Sequence, residues 1–173
     1  MPALRQSIPI LRGARRRAPS DRSFCRWPPM MRSLLRRVYQ VAAWLVVLAV
    51  ITQFLLAGLG VFATAQVGGF GPHRLYGATA VLLAILVLIV LSFVARVPWR
   101  HTGLAGLLFF QFFLQYVFLQ FYWHAGSTIP GTSWYISPNL RPVAALHVLN
   151  GLLILWVALH IAGQSTATQP AAD

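Results

Sequence analysis

The chain has 173 residues, of which 58% are hydrophobic and only 9% charged, a composition that excludes an ordinary soluble domain. Its length suits a single domain. The formal net charge of +12 comes from arginine alone against two acids, Asp21 and Asp173. Most of those arginines precede residue 38, so the charge reads as a basic tail and not as a nucleic-acid surface. Cys25 is the only cysteine, which excludes a disulfide framework and a cysteine metal cluster.

Residues 1–35 are rich in Arg and Pro, include Arg15-Arg16-Arg17 and lack a helical period, so a disordered tail is expected there. Met30-Met31-Arg32 also reads as a natural translation start. A signal peptide fits poorly, because no small-residue cleavage site follows a short apolar core. A membrane domain is expected over residues 36–163, with spans at about 39–65, 72–95, 103–123 and 142–162. Each run holds roughly twenty apolar residues, enough to cross a hydrocarbon core as a helix. A spanning backbone must satisfy its own hydrogen bonds, so each run is read as helical. The expected fold is all-α: a four-transmembrane-helix bundle of two helical hairpins, followed by a polar tail over residues 164–173.

Arg32, Arg36, Arg37, Arg96 and Arg100 flank one side of these spans, and Arg74 and Arg141 the other. That bias places both termini in the cytoplasm. Exclusive use of arginine, with abundant alanine, suggests a high-GC bacterial genome and hence a bacterial inner membrane. The short connections around 66–71 and 97–103 carry Gly and Pro, as turns do. The longer segment 124–141 is expected to cover the outer mouth of the bundle.

A five-residue pattern occurs twice: His73-Arg74-Leu75-Tyr76-Gly77 and His147-Val148-Leu149-Asn150-Gly151. Both read His-x-Leu-x-Gly, and each opens an apolar run. Residues four apart share a helix face, so each imidazole has a bare glycine one turn further on. Two such faces on parallel helices would hold a flat cofactor between them. Neutral imidazole is the usual protein ligand of heme iron, and helix bundles build such sites from facing side chains. In that reading His73 and His147 bind the iron of a b-type heme, and Gly77 and Gly151 leave room for the macrocycle. Arg74 and Arg141 pair with its propionates. The plainer reading is a pair of interfacial histidines beside helix-packing glycines, with both arginines on lipid phosphate. His147 lies about five residues deeper in its run than His73, an offset of about 7 Å at ~1.5 Å per residue. Helix tilt, or a second helix starting near Phe70, would close it.

A zinc or copper site of His73, His124 and His147 is a further option. His101 and His160 lie toward the inner face and read as interfacial residues without partners. Gln53, Gln111 and Gln115 read as groups that hydrogen-bond between helices, and Gly58, Gly60, Gly103 and Gly106 as close-packing positions. No Asp or Glu falls in any span, which argues against a proton-coupled pump or cation transporter. No Ser/His/Asp set or phosphate-binding glycine loop is present, so hydrolase and kinase chemistry drop out.

The layout, with Gly-x-His-Arg-x-x-Gly at 71–77 and His-x-x-Asn-Gly at 147–151, resembles a family of small bacterial membrane proteins of unknown function. The resemblance covers about residues 36–163. It implies a four-helix integral membrane protein and no established activity. The layout is also similar to one four-helix half of heme A synthase. That resemblance implies heme-ligating histidines at His73, followed by Arg74, and at His147. The family's Glu three residues before the first histidine is Phe70 here, so the resemblance extends to heme binding and not to synthase chemistry.

Beside a metal site or a lipid-soluble ligand carrier, two main functions therefore remain open. One is a b-type heme protein passing electrons at the outer leaflet to a membrane redox partner. The other is a non-catalytic structural or accessory membrane subunit without a cofactor. Both take the lipid bilayer as a partner, both are compatible with a homodimer, and neither involves nucleic acid.

Overall fold

The computed structural model of the chain describes residues 28–62, 70–126 and 141–167. Four helices, each long and apolar enough to cross a membrane, make up almost all of this. They are α1 (Pro29–Phe62), α2 (Gly71–Val94), α3 (Trp99–Gly126) and α4 (Arg141–Ala167). Helix α1 packs on α2 and α4, and α3 packs on the same two, so the four close into a ring. Helices α2 and α4 face each other across one diagonal, and α1 and α3 across the other.

The helices extend beyond the apolar runs. Helix α1 begins at Pro29, inside the segment expected to be a disordered tail. Proline suits the first turn of a helix, where its missing N–H is not needed, and no helix breaker follows until the run ends. Helix α3 likewise starts at Trp99 and continues to Gly126, and α4 continues into the expected polar tail as far as Ala167. The connection at 63–69 and the segment at 127–140, expected to cover the outer mouth, lie outside the described residues.

The core is a column of small and branched side chains. Val46, Ile85, Leu108 and Ile161 are fully buried, and Ala43, Val157, Ala158 and Ala162 fill the gaps between them. The outward faces are as apolar as the core: Leu55, Leu59, Leu83, Phe93 and Trp156 are each more than 60% exposed. In water such a surface would aggregate, whereas in hydrocarbon it is the expected one. Without water, burying apolar surface gives no drive for helix pairing, so shape fit and interhelical hydrogen bonds must supply it.

Of the four glycines expected to be close-packing positions, only Gly60 is one. A methyl group there would lie 2.7 Å from the Phe70 ring, whereas Gly58, Gly103 and Gly106 face open space. Helical spacing places these residues on the spans but does not say which face meets a neighbour.

Helix α2 ends with Arg96 at φ 49°, in the left-handed region. The Val97 amide there donates to the Ser92 carbonyl and the Arg96 amide to the Phe93 carbonyl, closing the helix end. This turn carries Arg96 and Arg100 to the end of the bundle where Arg32, Arg36 and Arg37 open α1, because Tyr39 of α1 meets His101 of α3 there. The arginines therefore cluster as the flanking pattern predicted.

Leu108 and Leu83 give a direct check of which faces are internal. Leu108→Ala is expected to lower stability by on the order of 2 kcal/mol, the cavity part of such a loss. Leu83→Ala should change it by less than about 0.5 kcal/mol. Unfolding titrations in mixed micelles measure both.

Candidate functional site

The two histidines of the repeated pattern come together. The His73 and His147 ring centres are 6.4 Å apart and edge-on, although His73 is in the first turn of α2 and His147 a turn and a half into α4. His73 still lies two residues into its helix and His147 six into its own, so the helix start at Gly71 does not close the expected offset, yet the two rings meet.

What holds His73 is a glutamine from α1. The His73 Nδ1–H donates to the Gln53 backbone carbonyl at 3.0 Å. The Gln53 side-chain amide donates to the His73 carbonyl at 3.0 Å and lies 3.2 Å from His73 Nε2. These contacts together fix the proton positions. An amide oxygen turned toward the His73 carbonyl would place two acceptors face to face, so the NH₂ must point there. Nε2 is then the acceptor and Nδ1 carries the proton.

The same amide explains two other features. It occupies the space beside Gly77, where a methyl group would sit 2.6 Å from Gln53 Nε2. It also loads the His73 carbonyl with a second donor, since the Gly77 N–H already reaches both the His73 and Arg74 carbonyls. From Gly77 to Val81 the helix widens into a single π turn. A side chain inserted into the backbone ladder is a recognised cause of such widening.

The α3–α4 pair repeats the filled notch: the Gln115 side chain occupies the space beside Gly151, its amide nitrogen 3.3 Å from where a methyl would be. Phe54, next to Gln53 in α1, crosses to the same notch at 3.2 Å. One turn away, the buried Asn150 amide donates to the Gln111 backbone carbonyl at 2.8 Å. One polar residue from each helix, Gln53, His73, Gln115 and His147, thus forms a layer across the bundle.

Phe70, standing where the resemblance expected an acid, packs its ring on Gly60 and lies edge-on to His73 at 6.1 Å. Arg74 is exposed on α2. Arg141 opens α4, but its side chain lies outside the described residues, as does that of His124. Among the described residues no three His, Cys, Asp or Glu come together, so the three-histidine site is not assembled there.

For a heme the ring spacing and the surrounding space point in opposite directions. Two imidazoles on one iron, with metal–nitrogen bonds of about 2 Å, have ring centres about 6 Å apart, and the 6.4 Å separation agrees. The surrounding space does not. The notches expected to admit the macrocycle are filled by Gln53 at Gly77 and by Phe54 and Gln115 at Gly151. His73 Nε2, the nitrogen left without a proton, already faces the Gln53 amide. As packed, the residues present do not fit a heme.

At the opposite end, His101 is buried at 5% exposure and, contrary to the expectation that it has no partner, lies edge-on to Tyr39 with ring centres 6.3 Å apart. His160 is exposed, as an interfacial residue should be, but it is partnered. It stacks on Trp156 and shares a 2.8 Å hydrogen bond with Gln164.

Gln53 and Gln115 are the site residues that the spacing of the histidines does not reveal. A signal was present: Gln53-Phe54 and Gln115-Tyr116 put a Gln-aromatic pair on the helix before each His-x-Leu-x-Gly. The repeat is imperfect, because Phe54 is packed while Tyr116 is 57% exposed.

The notch at Gly77 predicts an unusual sign. Alanine normally stabilises a helix over glycine by up to about 1 kcal/mol. Gly77→Ala should instead destabilise by about 1–2 kcal/mol, because it expels an amide that makes interhelical hydrogen bonds. In a Gln53→Ala background the same change should become neutral or stabilising. Unfolding titrations of the four proteins measure the coupling.

Residues 53–121, less than half of the chain, match the model of a family of unknown function (DUF6220). The matched part contains Gln53, His73, Gly77 and Gln115, and it ends before His147 and Gly151. No curated protein and no solved structure matches the chain.

Proposed function

We propose that this chain is a four-span integral membrane protein that performs no chemistry of its own and serves as a structural or accessory subunit. It is two helical hairpins, α1–α2 and α3–α4, with both termini on the cytoplasmic side of a bacterial inner membrane. The five arginines at one end against two at the other support that orientation.

The observation that carries this reading is the filling of both glycine notches by glutamine side chains. A substrate or cofactor site keeps concave space beside its reactive groups. Here Gln53 and Gln115 occupy that space; hydrogen bonds from Gln53 tie α2 to α1, and the Asn150 amide ties α4 to the Gln111 carbonyl of α3. Each tie acts as a clasp for its hairpin, and the contact between His73 and His147 brings the two hairpins together. Interhelical hydrogen bonds in lipid contribute roughly 0.6 kcal/mol each and up to about 1.7. Several of them at one depth suffice to set the register of the helices without any ligand.

The b-type heme reading is the second one, and only the 6.4 Å ring separation favours it. A dithionite-reduced minus oxidised visible spectrum of the protein, purified after expression with added heme, separates the two. The clasp reading predicts no α or Soret bands in wild type. Sharp bands lost in both His73→Ala and His147→Ala would overturn it. Reporter fusions at the two termini test the orientation, and periplasmic activity at either end would contradict it.

A further inference from the structure

The turn that joins α2 to α3, at the arginine-rich end of the bundle, leaves a groove of about 430 Å³. That volume is in the range of small-molecule sites. Phe93, Val97 and Trp99 form its apolar walls, and Arg96 and Thr102 supply polar groups. Gly103 keeps it open, because no atom lies within 4 Å of where a methyl group there would be.

Arg96 is the unusual residue of this turn. It holds φ 49°, the left-handed conformation in which a glycine ends a helix without strain. Side chains are disfavoured there, so the backbone does not account for an arginine at this position. The Arg96 side chain lines the groove, a role that glycine could not fill. Arg96 also interacts within the protein, but a guanidinium carries several N–H donors and an internal contact does not exhaust them.

The two kinds of lining match the two parts of a phospholipid. Phe93 and Trp99 are 64% and 82% exposed and continue the apolar outer surface of the bundle, so an acyl chain lying on that surface runs into the groove. Trp99 opens α3, the level at which tryptophans meet headgroups. At that level the Arg96 guanidinium suits phosphate geometry, and the positive end of the α3 dipole adds to the attraction. Charge selects the headgroup. Arg100 follows Trp99, and Arg32, Arg36 and Arg37 open α1 at the same end. Such a cluster favours a lipid with net negative charge over a zwitterionic one, whose own amine would meet the arginines. A free phosphate would leave the apolar walls unused.

We propose that the groove at the α2–α3 turn binds one anionic phospholipid, its phosphate on Arg96 and Thr102 and its acyl chains along Phe93 and Trp99. The site needs the helices to span a membrane. It depends neither on the clasps nor on which leaflet faces this end, so it stands or falls separately from them.

The test is native mass spectrometry of the full chain, released from detergent micelles carrying phosphatidylglycerol or phosphatidylcholine with identical acyl chains. One phosphatidylglycerol per chain is expected, held at least about fivefold more tightly than phosphatidylcholine. Arg96→Gly removes the guanidinium and suits the left-handed backbone, so it should abolish that preference in a protein at least as stable as wild type. Gly103→Leu places a side chain in the groove where the backbone leaves room, and should weaken retention of the lipid at least about fivefold. Arg36→Gln removes a charge from the same end but outside the groove, and should change the preference less than about twofold. Inorganic phosphate should not displace the lipid. Equal retention of the two lipids would overturn the proposal. So would a preference unchanged by Arg96→Gly, retention unchanged by Gly103→Leu, an equal loss in Arg36→Gln, or displacement by inorganic phosphate.

Discussion

The hydrogen bonds between Gln53 and His73 are the constraint from which the rest of the site follows. In hydrocarbon a buried imidazole has no water to fall back on, so its two ring nitrogens must find partners in the protein. Gln53 serves both of them, one through its backbone carbonyl and one through its side chain. Because the same amide also reaches the His73 carbonyl, it fixes the rotation of α1 against α2 as well as their spacing. The absence of a side chain at Gly77 and the widened turn at Gly77–Val81 both accommodate that amide.

The bundle has two polar layers separated by a dry column. One is the Gln-His layer. The other holds Tyr39 and His101, at the arginine-rich end. Between them the interior is Val46, Ile85, Leu108 and Val157, all buried and without a polar group. The layers act at the two ends, where they set the depth at which each helix meets its neighbours.

The architecture was legible in the sequence because apolar runs of span length leave few alternatives. The helix ends were less so. Apolarity marks what can lie in lipid, whereas helices α1 and α4 continue through Arg-bearing and Ser/Thr-bearing turns that the apolar pattern does not register. The pairing of His73 with His147 was visible as a repeated motif, and the structure brings the two rings together. The purpose of Gly77 and Gly151 was not. A glycine one turn from a histidine looks the same in sequence whether it admits a cofactor or a glutamine from another helix. That distinction depends on the rotation of α1 and α3, which no spacing within α2 or α4 encodes. Gly58, Gly103 and Gly106 illustrate the same limit, since they face open space while Gly60 receives Phe70.

The most direct test of the clasp is the protonation pattern of His73, read by nitrogen NMR of the protein labelled with ¹⁵N in its histidine rings. Free neutral histidine prefers the proton on Nε2. The geometry around Gln53 requires it on Nδ1, with Nε2 bare and accepting a hydrogen bond. A protonated Nδ1 and an unprotonated Nε2 at His73, reverting to the ordinary tautomer in Gln53→Ala, is the predicted result. A protonated Nε2 in the wild-type protein, unchanged when Gln53 is removed, would contradict the account.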